Sequence, residues 1–296
     1  MHFGKILDGV LRPHEPLAIG LRWFGTNSDP TQIKNDYSPM NTNEETIRTY
    51  YRTLARASGP QHWWPAHTRF EVIVGAYLTQ NTAWTNVEQA LRGLRSARLL
   101  SLGGIRRTPL AAIERLIRPS GYFRQKAQRL KTFVAFVDKQ YNGSLARMFS
   151  QPTKKLRDEL LSLNGIGPET ADSILLYAGN HPVFVVDAYT RRILDRHHIV
   201  EQKAAYEEIR QLFEKALAPI VESQQHNPPD VRTRLESGFP GTAHPPSRMS
   251  TARRSALVQV YNEMHGLIVG VGKNYCRKSQ PLCDECPLQP FLPCRK

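Results

Sequence analysis

From about Asn43 onward, apolar residues recur every three or four positions along most of the chain. Phe70, Ile73, Val74 and Tyr77 fall on one helical face, and Trp84, Val87, Leu91 and Leu94 fall on another. Tyr206, Ile209, Phe213 and Leu217 mark a further helix, as do Leu257, Val260, Tyr261 and Met264. Alternation with a period of two is nearly absent. Its one candidate, Val183–Val186, reads equally as a short strand or as an extended run leading into a helix. The pattern predicts an all-α protein without internal repeats. Two stretches break it. Residues 1–42 are proline-punctuated and read as an irregular N-terminal extension. Residues 221–250, with HNPPD and GFPGTAHPPS, carry no apolar stripe and read as a disordered insertion between two helices.

Charge narrows the partners. The 296 residues hold 40 Lys plus Arg against 26 Asp plus Glu, a formal net charge of +14. Such a field attracts polyanions, nucleic acid first among them. The longest apolar run, Val72–Leu78, is far shorter than the ~20 residues that a spanning helix needs. The start, MHFGKILDGV, lacks the apolar core of a secretory signal, so a cytoplasmic, nucleoid-associated protein is expected. All four cysteines lie between Cys276 and Cys294, a crowding that suits a metal site better than a disulfide framework.

The segment Pro152–Gly179 carries the most chemistry. Lys154–Leu163 predicts an amphipathic helix, then Asn164-Gly165-Ile166-Gly167-Pro168 a tight turn, then Glu169–Tyr177 a second helix. Glycines on both sides of Ile166 permit positive φ and bring backbone amides close to a ligand. Pro168 suits the first position of a helix, where its missing N–H costs nothing. A helix N-terminus behind glycines offers free N–H groups and a positive dipole end to a phosphate. Gly165, Ile166 and Gly167 are therefore candidate phosphate contacts that read no base.

This pattern, L-x-L-x-G-I-G-x-x-T-A, resembles the helix-hairpin-helix of the endonuclease III (HhH-GPD) superfamily of DNA glycosylases. The resemblance runs from about Asn43 to Cys294, broken by the insertion. It implies a six-helix barrel domain over 64–181 and an iron–sulfur cluster domain built from 43–63 plus 182–296. Duplex DNA bearing a damaged base would be the partner, and the protein would act as a monomer. In this superfamily an essential aspartate follows the hairpin by about twenty residues. In GNHPVFVVDAYTRRIL that place is taken by Asp187, which would stabilise the positive charge developing on the sugar. As an isolated residue Asp187 would read as the N-cap of Ala188–Arg196, and the two roles are compatible. Bifunctional members carry a Schiff-base lysine two residues after the second hairpin glycine. Here that residue is Glu169, which cannot form an imine, so a glycosylase without AP-lyase activity is expected.

Other segments point to the base. Gln80, in Leu78-Thr79-Gln80, matches the superfamily residue that fills the hole left by an everted base; otherwise it is a polar helix end. Trp63-Trp64-Pro65, LTQNTAW with Trp84, and GYFRQKAQRL look like the 3-methyladenine glycosylase branch. Electron-rich faces of Trp63, Trp64 and Trp84 would favour a cationic alkylated purine, unless they only pack the core. Lys273 stands where that branch has a pocket lysine, and reads equally as a solvated side chain.

Cys276-x6-Cys283-x2-Cys286-x7-Cys294 is a soft four-ligand set. It resembles the superfamily's C-x6-C-x2-C-x5-C, which holds a [4Fe–4S] cluster, with the last gap two residues longer. Zinc also accepts four cysteines, although its motifs usually pair them closely. Arg277 and Lys278 sit in the loop that, in the superfamily, offers basic groups to phosphates.

Overall fold

The computed structural model describes residues 42–201, 203–226 and 244–293. Most of the expected extension at 1–42, the middle of the insertion and Cys294 lie outside those residues. What is described is helical, with no strand among it. The elements are α1 (Asn43–Ser58), α2 (Arg69–Leu78), α3 (Trp84–Ser96), α4 (Leu102–Arg107), α5 (Leu110–Ile117) and α6 (Phe123–Tyr141). They continue with α7 (Leu145–Phe149), α8 (Thr153–Leu161), α9 (Pro168–Ser173), α10 (Ala188–Arg196), α11 (Tyr206–His226) and α12 (Ala256–Asn274). A wider turn over Ile174–Gly179 extends α9.

Local chemistry sets where helices begin. Thr42, Thr68, Ser101, Ser144, Asp187 and Ser255 each accept the backbone N–H three residues on. Each such cap contributes about 1 kcal/mol by satisfying a donor that the helix leaves free. At the centre, α2 is buried on every side from Phe70 to Leu78. Its one carboxylate, Glu71, ion-pairs with Arg95 and accepts the His67 amide at 2.9 Å, so no bare charge is left in the core.

Val183–Val186 takes neither a strand partner nor a helix. Its four side chains are buried, and two of its amides find side-chain acceptors. Phe184 N–H donates to Glu214 Oε1 at 3.0 Å and Val186 N–H to the Tyr206 hydroxyl at 3.3 Å. Phe184 stacks on Phe213 with centroids 4.2 Å apart and meets Tyr261 edge-on. This anchored segment delivers Asp187 to the start of α10.

Of the insertion expected at 221–250, residues 221–226 and 244–250 are described. Helix α11 runs on to His226, since Glu222, Gln224 and Gln225 are adequate helix formers. At the far end Met249 N–H donates to Ala66 O at 3.1 Å and Ser247 Oγ to Trp64 O at 3.3 Å, seating 244–250 on the body.

Candidate active site and nucleic-acid interface

The hairpin forms as α8, a turn and α9. Gly165 has φ +82°, in the left-handed region, and Ile166 is buried as the plug between the helices. Gly167 precedes α9 in an extended conformation, with open space where a side chain would start. The turn is held from below by Gln80. Its Nε2 donates to Gly165 O and to Thr170 Oγ1, both at 2.9 Å, and its Oε1 accepts from Arg129 Nη1 at 2.8 Å. In this state Gln80 braces the turn.

An ionic chain, buried at Asp172 and partly exposed elsewhere, ties the hairpin to the aspartate. Arg157 of α8 donates to both oxygens of Asp172 in α9, at 2.7 and 3.0 Å, and to Glu207 of α11 at 2.6 Å. Arg210 bridges Glu207 and Glu214, and Glu214 accepts the Phe184 amide three residues before Asp187. Asp172 has no exposed surface, and burial pushes its carboxyl up while Arg157 pulls it back.

Asp187 caps α10. Its Oδ1 accepts from Thr190 N at 2.7 Å and from Thr190 Oγ1 at 2.8 Å. Its Oδ2 lies 3.7 Å from Nε2 of His265, a buried residue of α12. Glu169, at the start of α9, is close enough to feel its charge. Crowding by the surrounding protein, then Asp187, push the Glu169 carboxyl up to about 7, against a pull from Arg191. The outer part of the Glu169 side chain is open to solvent.

An aromatic group adjoins this pair. Trp63 and Trp64 are buried and Trp84 is half-buried. Centroids lie 5.7 Å apart for Trp63–Trp84 and 5.3 Å for Trp64–Trp84, and Trp84 Nε1 donates to Glu88 at 2.8 Å. The Lys273 ammonium stands 5.7 Å over the Trp63 ring. Burial holds Lys273 below the usual lysine range, opposed by Glu88 and Asp187. Trp64 leads back towards the aspartate through Tyr177, at 5.2 Å, whose hydroxyl is 2.5 Å from His265 Nδ1. The arrangement therefore has a carboxylate, a second carboxyl that titrates near neutrality, and electron-rich rings beside them. Such a set can stabilise a developing cation and manage one proton.

At the C-terminus Cys276, Cys283 and Cys286 line one pocket. Arg196 donates to Cys276 Sγ at 3.2 Å and to the carbonyls of Arg277 and Lys278, whose own side chains are exposed. Burial pushes the Cys286 thiol up, and the other two sulfurs add to it. A cationic metal centre would relieve that congestion. Among the described residues no three or more His, Cys, Asp or Glu side chains are placed to hold a metal ion; the fourth candidate, Cys294, lies beyond them.

Residues 74–219 match the model of the HhH-GPD superfamily of base-excision DNA repair proteins. A Methanocaldococcus jannaschii protein, itself inferred to be a DNA repair glycosylase, is 40% identical over 83% of this chain and 96% of its own length. The chain belongs to the HhH-GPD superfamily. A Helicobacter pylori 3-methyladenine DNA glycosylase solved with 1,N6-ethenoadenine is 27% identical, with TM-score 0.59 over 78% of this chain and 96% of that one. An endonuclease III–DNA covalent intermediate has TM-score 0.61 at 21% identity, over 86% and 96% of the two chains, and shares the fold.

The hairpin, Asp187, Gln80, the tryptophans and Lys273 were all nominated from the sequence. His265, Tyr177, Arg129 and His244 were not. His244 lies 5.5 Å from Trp63 and 6.3 Å from Trp84, on the edge of the insertion. None of the four carries a local signal, because each meets the site only through contacts distant along the chain.

Proposed function

We propose that this HhH-GPD protein is a monofunctional DNA glycosylase that removes alkylated purines from duplex DNA. The observation that carries the reading is Asp187. It is fixed by its own helix cap, next to a carboxyl with a raised pKa, where a lyase of the superfamily would have a lysine. DNA lies between a lobe of residues 64–181 and one of 43–63 plus 182–296, with the damaged nucleotide turned out towards Asp187. The amide of Gly167, ahead of α9, grips a backbone phosphate while that of Ile166 stays with Leu163 O; Arg277 and Lys278 meet other phosphates, and Gln80 leaves the turn to fill the gap in the duplex. The C1′–N bond breaks with its electron pair leaving on the base. Asp187 stabilises the cationic sugar, and water adds to C1′ and gives its proton to a carboxylate.

A cationic purine suits the rings of Trp63, Trp64 and Trp84 and leaves without prior protonation. The lowered proton affinity of Lys273 eases repulsion of such a base. The Helicobacter pylori relative, a 3-methyladenine DNA glycosylase, supports the same substrate class. Cys276, Cys283, Cys286 and Cys294 are the residues that would hold a [4Fe–4S] cluster, which would supply structure to the loop carrying Arg277 and Lys278.

The test is base release from duplexes carrying N-methylated purines, compared with oxidised pyrimidines. Release of methylpurine by the parent, lost in Asp187→Asn, is the expected result. Undiminished excision by Asp187→Asn overturns the assignment. Trapping on abasic DNA with borohydride should give no covalent adduct, and an adduct would make the protein a lyase.

A further inference from the structure

Two facts about Asp187 leave something over. Oδ1 is saturated by Thr190, whereas the nearest group recorded to Oδ2 is His265 Nε2, at 3.7 Å. That nitrogen is buried and has no hydrogen-bond partner of its own, in a residue only 4% exposed. A lone buried donor or acceptor costs stability unless something claims it.

Which atom of the imidazole carries the proton follows from its neighbours. Burial lowers the His265 pKa and keeps the ring neutral, and burial pushes the Tyr177 hydroxyl well above the usual tyrosine range, so it keeps its proton. One tautomer would donate from Nδ1 to Tyr177 and aim the Nε2 lone pair at the Asp187 carboxylate. The other accepts the Tyr177 O–H at Nδ1, 2.5 Å away, and turns Nε2–H towards Oδ2. The negative oxygen selects the second.

We infer that His265 positions the Asp187 carboxylate through Nε2–H, with Tyr177 locking the imidazole from behind. This rests on the reading of Asp187 given above. The contact is about 0.8 Å longer than a hydrogen bond of ~2.9 Å, and such contacts in free enzymes tighten when substrate arrives. A neutral donor orients the carboxylate and leaves its charge in place, unlike a lysine at the same spot. The other ionisable groups facing Asp187 are Glu169 on α9, Tyr177, Tyr189 on α10 and Lys273 on α12. Among the described residues, none of them hydrogen-bonds Oδ2.

Three variants test it on a duplex treated with a methylating agent. His265→Leu removes the donor, His265→Gln returns an N–H near the Nε2 position, and Tyr177→Phe frees the ring. His265→Leu should slow single-turnover excision by about 10- to 100-fold with the duplex Kd unchanged. Gln should recover most of that loss, and Tyr177→Phe should fall between. Nitrogen-15 long-range correlation spectra of histidine-labelled parent protein should show the Nε2–H tautomer. An Nδ1–H tautomer, or full rate in His265→Leu while Asp187→Asn is inactive, overturns the inference alone. Loss of DNA binding in step with rate in both His265 variants makes the residue purely structural and also overturns it. Full activity in Asp187→Asn removes the reading beneath it.

Discussion

Gly165 and Gly167 look alike in sequence, yet the structure gives them different work, and alanine at each separates the two. At Gly165 the backbone has φ +82°, and an added Cβ would overlap the Arg129 guanidinium. Left-handed backbone costs an alanine about 1–2 kcal/mol. Displacing Arg129 also breaks its charge-assisted bond to Gln80 Oε1, worth about 1.5–3 kcal/mol. Restricting the unfolded chain returns about 0.4–1 kcal/mol, leaving a net loss of about 1.5–4.5 kcal/mol. At Gly167 the conformation is extended and an added Cβ meets nothing within 4 Å. Gly167→Ala should therefore leave stability unchanged or slightly raised. Its methyl instead occupies the open space at the start of α9, where the phosphate is proposed to sit, and affinity for undamaged duplex should fall about tenfold. Urea unfolding, read as a shift of midpoint at constant slope, measures the first quantity, and titration of duplex at one fixed salt concentration the second. The reasoning fails if Gly167→Ala destabilises as much as Gly165→Ala, or if it binds DNA like the parent.

Arg157→Met strips the buried Asp172 of its bidentate cationic partner and should cost about 3–5 kcal/mol in the same unfolding assay. Arg157→Met combined with Asp172→Leu should recover much of it, and a combined loss equal to the sum of the singles would contradict the pairing. Glu169 binds a proton more tightly folded than unfolded. Between about pH 4.5 and about pH 7 its share of stability therefore declines as pH rises. Glu169→Gln should flatten the fall of Tm with pH over that range, and an unaltered slope would refute the raised pKa. Phe184→Ala empties the stack on Phe213 and should cost about 3–5 kcal/mol by unfolding. The purified protein should be brown and absorb broadly near ~400 nm, and lose both properties in Cys283→Ala; a colourless parent with bound zinc would refute the cluster.

Much of the fold was legible because burial of helical stripes is a local pattern. Ile73, Val87, Ile209, Phe213 and Val260 are all core residues on the faces that periodicity assigned. The hairpin was legible too, since Gly165 and Gly167 announce a backbone that few other residues allow. Its first helix nevertheless stops at Leu161, because Ser162 and Leu163 already turn towards the glycines. What the sequence hid are encounters between distant residues. Tyr177 and His265 are 88 positions apart, and nothing in either segment marks the other. Gln80 is legible as the residue for the gap in the duplex, but not its grip on Gly165 O, beside an Arg129 that lies 49 residues on. The wide turn after α9 has no distinct periodicity, so Ile174–Gly179 read as ordinary helix.

The run of alternating charges from Arg157 to Glu214 bears on how portable this hairpin is. Its two helices carry an arginine and an aspartate whose full set of partners is completed only by α11. Transplanted into a foreign scaffold without Glu207 and Glu214, the motif would bring a poorly compensated ion pair with it. Within its own protein, the same linkage means that the Gly165–Gly167 turn and the carboxylate-bearing segment should melt together, as one cooperative body.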